Sequence, residues 1–135
     1  MILLDTVVLS ELRKHQPSPK VMRWLTAFRD DDLFLSVVSI GEIERGIEKK
    51  RKDEPAFAKS LTQWIEDLLR IYDDRVLPVT PGIARRWGIL SARLGNDGAD
   101  LLIAATALAH GLKVATRNTR HFASTGVGVI NPFDS

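Results

Sequence analysis

Three apolar runs, Ile2-Leu3-Leu4, Leu33 to Val38 and Lys113 to Thr116, constrain the fold of this chain most. Each is too short for a helix, and none alternates polar with apolar residues as a strand with one face in water would. Runs of this kind are strands buried on both faces of a parallel sheet, and such a sheet needs helices on either side. The remaining sequence supplies them. Val21, Trp24, Leu25 and Phe28 follow Ser18-Pro19, and Ile40, Ile43 and Ile47 follow Ser39. Phe57, Leu61, Trp64 and Leu68 follow Pro55, and Ile83, Trp87, Leu90 and Leu94 follow Thr80-Pro81. Each set keeps three- and four-residue spacing behind a capping residue or a proline at the first helical position. A last apolar helix is expected from about Asp100 to His110, ending at Gly111 in a left-handed cap. Arg75 to Val79 and Val127 to Ile130 are weaker strand candidates. The expectation is one α/β domain over residues 1–135, with a short, mainly parallel sheet flanked by helices.

At 135 residues the chain is long enough to bury a core without staples, and it has no cysteine, which excludes disulfides, thiolate metal sites and cysteine nucleophiles. Met1-Ile2-Leu3-Leu4-Asp5 lacks the basic start of a secretory signal, so a cytoplasmic location is expected. The longest apolar run, Leu101 to Ala109, is less than half of the ~20 residues a membrane helix needs, so no membrane association is expected. Nineteen Lys and Arg against seventeen acids give a net charge of +2, which permits a nucleic-acid partner without requiring one.

Ligands of open parallel sheets collect beyond the carboxyl ends of the strands. Asp5 ends the first strand, Glu42 falls in the expected first turn of the helix after the second, and Asp100 opens the last long helix. Taken singly, each has a plain structural account. Asp5 and Asp100 suit helix caps, and Ser39-Ile40-Gly41-Glu42 fits a capping box. Taken together, right-handed crossovers bring all three helix starts to one sheet edge, where the carboxylates converge. Two carboxylates 4 to 5 Å apart repel by about 3 to 4 kcal/mol at an effective dielectric near 20. A hard divalent cation such as Mg²⁺ or Mn²⁺ relieves that repulsion. Asp97 in Gly95-Asn96-Asp97-Gly98 and the run Asp30-Asp31-Asp32 read as turns. Glu11 is left between a place near the metal and a salt bridge with Arg45.

The segments Leu3-Leu4-Asp5-Thr6-Val7-Val8-Leu9-Ser10-Glu11, Leu35 to Ile43, Asp100 to Ala107, Thr116-Arg117-Asn118 and Ile130-Asn131-Pro132-Phe133 resemble, in order and spacing, the PIN-domain ribonuclease toxins, the VapC-type members of type II toxin-antitoxin systems. The resemblance implies a PIN-like fold, a homodimer, a Mg²⁺- or Mn²⁺-dependent endoribonuclease that cleaves RNA with metal-activated water, and neutralisation by a cognate antitoxin. It places Asp5, Glu42 and Asp100 on the family's metal-binding, catalytic acids and makes Thr6, Arg117 and Asn118 auxiliary. The chain departs from the pattern twice. Val7 stands where most members have Asn, and Thr116 to Phe122 lacks the usual fourth acid, leaving Asn118 or His121 in its place. A catalytically weak PIN-fold module that binds RNA or protein is the alternative. A phosphatase of the haloacid dehalogenase type is disfavoured, because it wants a second Asp where Val7 stands. Arg45 and the run Lys49-Lys50-Arg51-Lys52 are candidates for guiding an RNA backbone, with a solvated helix end as the plainer account. Trp24, Trp64 and Trp87 read as core or dimer-interface residues. The helices over 19–29 and 55–72 are expected to leave an apolar groove for a partner helix.

Overall fold

The first apolar run forms strand β1 (Ile2–Leu4) at the centre of a five-stranded, wholly parallel sheet. The structure is a computed structural model and describes residues 1–134. After β1 come helices α1 (Thr6–Leu12) and α2 (Pro19–Leu25), strand β2 (Leu33–Ser36), and helices α3 (Val37–Lys50) and α4 (Pro55–Tyr72). Strand β3 (Val76–Leu77), helices α5 (Pro81–Leu94) and α6 (Ala99–His110), strand β4 (Lys113–Ala115), helix α7 (Thr119–Ala123) and strand β5 (Val129–Ile130) complete the domain. The sheet order is β3-β2-β1-β4-β5. The chain therefore builds outward from β1 on one side and then returns to build outward on the other. The reversal falls between β1 and β4, and the crevice beyond their carboxyl ends is where sheets of this kind bind ligands.

All three residues of β1 are buried, and their alternation divides the interior in two. Ile2 and Leu4 join a core built with Leu9, Val21, Ile47 and Ile65 from α1 to α4, whereas Leu3 joins Ile103, Ala104 and Phe122 from α6 and α7. Helix α6 is apolar on most of its circumference and buries Leu101, Ile103, Ala104, Ala105 and Ala107, as a helix without a water-facing stripe must. It ends where expected, at Gly111, whose φ of 67° is open to glycine at no cost and whose N–H donates to the carbonyls of Ala107 and Leu108.

Several boundaries differ from the sequence expectation. Strand β2 stops at Ser36 rather than Val38, because the Ser36 hydroxyl accepts the N–H of Val38 (3.0 Å) and starts α3 early. The expected capping box at Ser39 therefore does not form. Ser39 lies buried inside α3 and Glu42 in its second turn. Strand β3 ends at Leu77, before Pro78, which has no N–H to give a ladder. Helix α7 goes beyond the expectation, and α1, signalled in the sequence only by Asp5 as a cap, forms with Asp5 in that role. With Val7 and Val8 in its first turn, α1 has weak intrinsic propensity, and the burial of Val8 and Leu9 holds it. Among the described residues no helix is long and apolar enough to cross a membrane.

Leu4 is fully buried where β1 meets β4. Leu4→Ala is expected to destabilise the protein by about 2 to 5 kcal/mol, the range for a buried leucine leaving a cavity, as read by urea denaturation.

Candidate active site

Asp5 leaves β1 at the switch point. Its backbone N–H donates to the carbonyl of Ala115 (3.0 Å) and carries the β1–β4 pairing one residue further. Its side chain spans the crevice, with Oδ2 accepting from Thr116 Oγ1 (2.8 Å) and Oδ1 from the backbone N–H of Thr6 (2.8 Å). The same carboxylate thus caps α1, so the structural reading of Asp5 holds alongside the functional one. Asp5 is 2% exposed. Burial lifts its pKa from 3.8 to about 6, outweighing the two hydrogen bonds, and the charges of Asp100 and Glu42 raise it further. No cation figures among the groups acting on it.

Glu42 reaches the site from the exposed face of α3, where its Oε1 lies 2.6 Å from Thr6 Oγ1. Thr6 Oγ1 is also 2.8 Å from Ser39 Oγ. One hydroxyl hydrogen cannot serve both, and an ionised carboxylate only accepts, so Thr6 donates to Glu42 and Ser39 donates to Thr6. Asp100 sits in the first turn of α6, where the helix dipole favours a negative charge. Its Oδ2 lies 2.8 Å from Nδ1 of His121, which α7 carries to the surface. Asp100 and Glu42 thus both bear on Asp5. Among the described residues, however, no group of three or more His, Asp or Glu side chains forms a ready-made cage for an ion. In chemistry the donor set fits a hard divalent cation: it is all oxygen, and its most buried member lacks a positive neighbour.

The auxiliary residues divide. Thr6 belongs to the site through both its backbone and its hydroxyl. Asn118 lies next to it, its backbone N–H donating to Thr116 Oγ1 (2.9 Å). Arg117 is exposed, and its guanidinium packs 3.7 Å from the centre of the Phe133 ring. Glu11 makes no pair with Arg45: it is buried, accepts from Lys14 Nζ (3.0 Å) and from the Ser18 N–H (3.2 Å), and lines a hollow with Thr6 and Arg117. Those donors hold its pKa below the ordinary value, the Lys14 hydrogen bond foremost. In the lysine run, Lys50 pairs with Glu54 and Arg51 with Glu48, both at the surface. Sequence reasoning missed the contact of Thr116 with Asp5. Its only signal is that Thr116 ends a strand, which matters once β4 is known to lie beside β1.

Compared with known proteins, residues 2–127 match the family model of the PIN domain. The VapC ribonuclease Y4jK of Sinorhizobium fredii is 36% identical over 141 residues, spanning 99% of both chains. Among solved structures, FitAcB from Neisseria gonorrhoeae superposes with a TM-score of 0.87 at 33% identity over 100% of both chains. A toxin-antitoxin complex from Klebsiella pneumoniae gives 0.72 at 25% identity over 98% of both.

The raised pKa of Asp5 makes stability depend on pH in a definite sense. The folded state favours the protonated acid, so Asp5 costs nothing below about pH 4 and its cost grows as pH rises through about 6. The displacement corresponds to roughly 3 kcal/mol at most. Metal-free Asp5→Asn is therefore expected to be more stable than wild type at pH 7.5, by about 1 to 3 kcal/mol, with the gap closing by pH 4 in urea titrations.

Proposed function

The chain belongs to the PIN domain family, whose model it matches over residues 2–127, and from that premise we propose that it is a divalent-metal-dependent endoribonuclease acting as the toxin of a toxin-antitoxin pair. The observation that carries the reading is Asp5, buried with no Lys, Arg or His side chain acting on it and with Asp100 and Glu42 raising its pKa further. In this reading Asp5, Glu42 and Asp100 hold Mg²⁺ or Mn²⁺. The ion, when bound, makes water a nucleophile at neutral pH and absorbs charge on the phosphate.

The chain's own residues do the rest. Thr6 N–H and Thr116 Oγ1 fix the Asp5 carboxylate in orientation, one on each oxygen, and leave the second lone pair of each oxygen open. Ser39 and Thr6 form a relay that turns the exposed Glu42 toward Asp5. His121 holds Asp100 by one oxygen, in the segment where the resemblance leads one to expect a fourth acid. The side chain of Asn118 makes no hydrogen bond among the described residues and offers a neutral oxygen there. Arg117, braced on Phe133, presents an exposed cation to a phosphate backbone.

The partner in the same reading is an antitoxin protein, supported by the likeness to the Klebsiella complex. Self-association into a homodimer has support in Ile89, Leu90 and Leu108 on α5 and α6, which line a hollow together with Arg85, Arg86 and Arg93 and of which Ile89 is 54% exposed. One observation favours the alternative of a weakly catalytic binding module, namely that the acids form no ready cage among the described residues.

The deciding experiment is cleavage of an RNA panel by wild type, Asp5→Asn and Asp100→Asn, with calorimetric Mn²⁺ titration of each. Wild-type cleavage should stop on chelation, return with Mn²⁺ or Mg²⁺, and leave 5′-phosphate and 3′-hydroxyl ends. Either substitution should weaken Mn²⁺ binding and reduce the rate at least about 100-fold, the order seen when one preorganised electrostatic group is lost. Products ending in 2′,3′-cyclic phosphate, or undiminished cleavage by the variants, would overturn it. Because the site carries one acid fewer than the resemblance leads one to expect, Asn118→Asp or His121→Asp should lower the Mn²⁺ concentration for half-maximal cleavage. If neither does, a neutral residue suffices at that position.

A further inference from the structure

Thr6, Val7, Ser10, Glu11, Lys14 and Arg117 line a hollow of about 250 Å³ beside α1. Two of them tie it to the acid cluster. Thr6 donates its backbone N–H to one oxygen of Asp5, and Arg117 follows Thr116, whose hydroxyl holds the other. Glu11 is the one acid in the lining, and both its oxygens are in use, Oε1 by Lys14 Nζ (3.0 Å) and Oε2 by the Ser18 N–H (3.2 Å). The charge of Arg117 also acts on Glu11, in the sense that keeps it ionised. Lys14 rests on this buried acid with half of its own side chain in water, and only one of its three ammonium hydrogens is spent on Glu11. Arg117 forms no ion pair among the described residues, and its guanidinium packs on the Phe133 ring. The Ser10 hydroxyl makes no hydrogen bond among them either. Two cations against one acid leave the lining with a positive charge.

We infer that this hollow seats one backbone phosphate of the RNA, next to the scissile one, with Lys14 and Arg117 as its cations and Ser10 as a hydroxyl donor. The inference rests on the ribonuclease reading above and names where the strand is held beside the bond that is cut. Charge supports it first. Three carboxylates repel a polyanion until a metal neutralises them, so the strand needs attraction elsewhere along its path, and here a positive hollow adjoins the acids. Preorganisation supports it as well. Glu11 holds Lys14 and Phe133 carries the Arg117 guanidinium, so less side-chain freedom is lost when an anion binds. Lys14 serves as a point charge, whereas Arg117 offers a planar fork that matches phosphate oxygens. Val7 adds an apolar wall and no polar group. The contacts on offer are charges and hydroxyls, the kind that position a nucleic acid without reading its bases, so the hollow fixes the strand equally for any sequence.

The test measures binding of a fluorescein-labelled ten-nucleotide RNA by anisotropy at several salt concentrations, with metal chelated so that the strand stays whole. Lys14→Gln, Arg117→Gln and Lys14→Arg are compared with wild type and with Lys59→Gln on the exposed face of α4, each checked for its fold by circular dichroism. Each Gln substitution in the hollow should weaken binding about fivefold at about 0.1 M salt and lower the salt slope by about 0.7, the single-strand value of one phosphate contact. Lys14→Arg should restore both, and Lys59→Gln should change neither. A second series uses RNAs that each carry one neutral methylphosphonate linkage. Neutralising one linkage, next to the bond that wild type cuts with Mn²⁺, should weaken wild-type binding and leave Lys14→Gln unaffected. Unchanged affinity in both Gln variants, an equal loss in Lys59→Gln, or linkages that cost wild type and Lys14→Gln alike would overturn the inference. So would a loss as large for a labelled ten-residue polyglutamate as for RNA, which would give the hollow to an acidic protein. If wild type cuts no RNA under any metal, the ribonuclease reading fails, while the binding and linkage comparison still decides whether the hollow takes a phosphate.

Discussion

The hydrogen bond between the Asp5 carboxylate and the Thr116 hydroxyl spans the gap at which the sheet reverses its order. It ends β1 and β4 together, and the carboxylate it holds is also the cap of α1. A buried carboxylate is an expensive thing to place there. It has two donors and no cation, and two further acids act on it, so the fold tolerates at its centre a charge that it would rather protonate. The two apolar cores on either face of β1 make that tolerable, because they fix the backbone around Asp5 independently of its charge. Stability is supplied by the interior and relinquished at the crevice, the distribution expected where function sets the local chemistry.

The same division explains which features were readable in the sequence. Strands β1 and β4 and the end of α6 at Gly111 were legible because burial on both faces and a left-handed glycine leave direct marks in residue type. Asp5 and Asp100 were legible as acids at strand ends and helix starts. The start of α3 was not. Ser36 and Ser39 are equally plausible caps, and the choice turns on how far β2 pairs with β3, where the register runs from Leu35 opposite Val76 to Ser36 opposite Leu77. Helix α1 was signalled only by Asp5 as a cap, because its β-branched residues disfavour a helix and packing restores it. His121 was named from sequence only as one of two residues standing in place of a fourth acid; its contact with Asp100 depends on α6 and α7 meeting, which no local pattern encodes.

Helix α1 has only seven residues, yet it organises both sides of the site. Asp5 caps it, Thr6 in its first turn ties Ser39 to Glu42, Glu11 in its last turn anchors the loop to α2 through Ser18, and Arg13 closes it. A helix this short has little stability of its own. Its position is inherited from Val8 and Leu9 in the core, so changes far from the crevice reach the acids through the seating of α1.

The two edge strands, β3 and β5, are two residues long, and Pro78 ends the first of them. Arg75 further ties this edge inward, donating to the carbonyls of Asp30, Leu33 (2.9 Å) and Ile71 (3.2 Å) while covering the ring of Tyr72. Neither edge thus offers the long row of free backbone groups on which another chain could pair as a new strand. The apolar surface that remains exposed lies on helices, where contacts are made by side chains of fixed shape. A chain built this way gives strand addition little to grow from, so a partner must be met through the side chains of its helices.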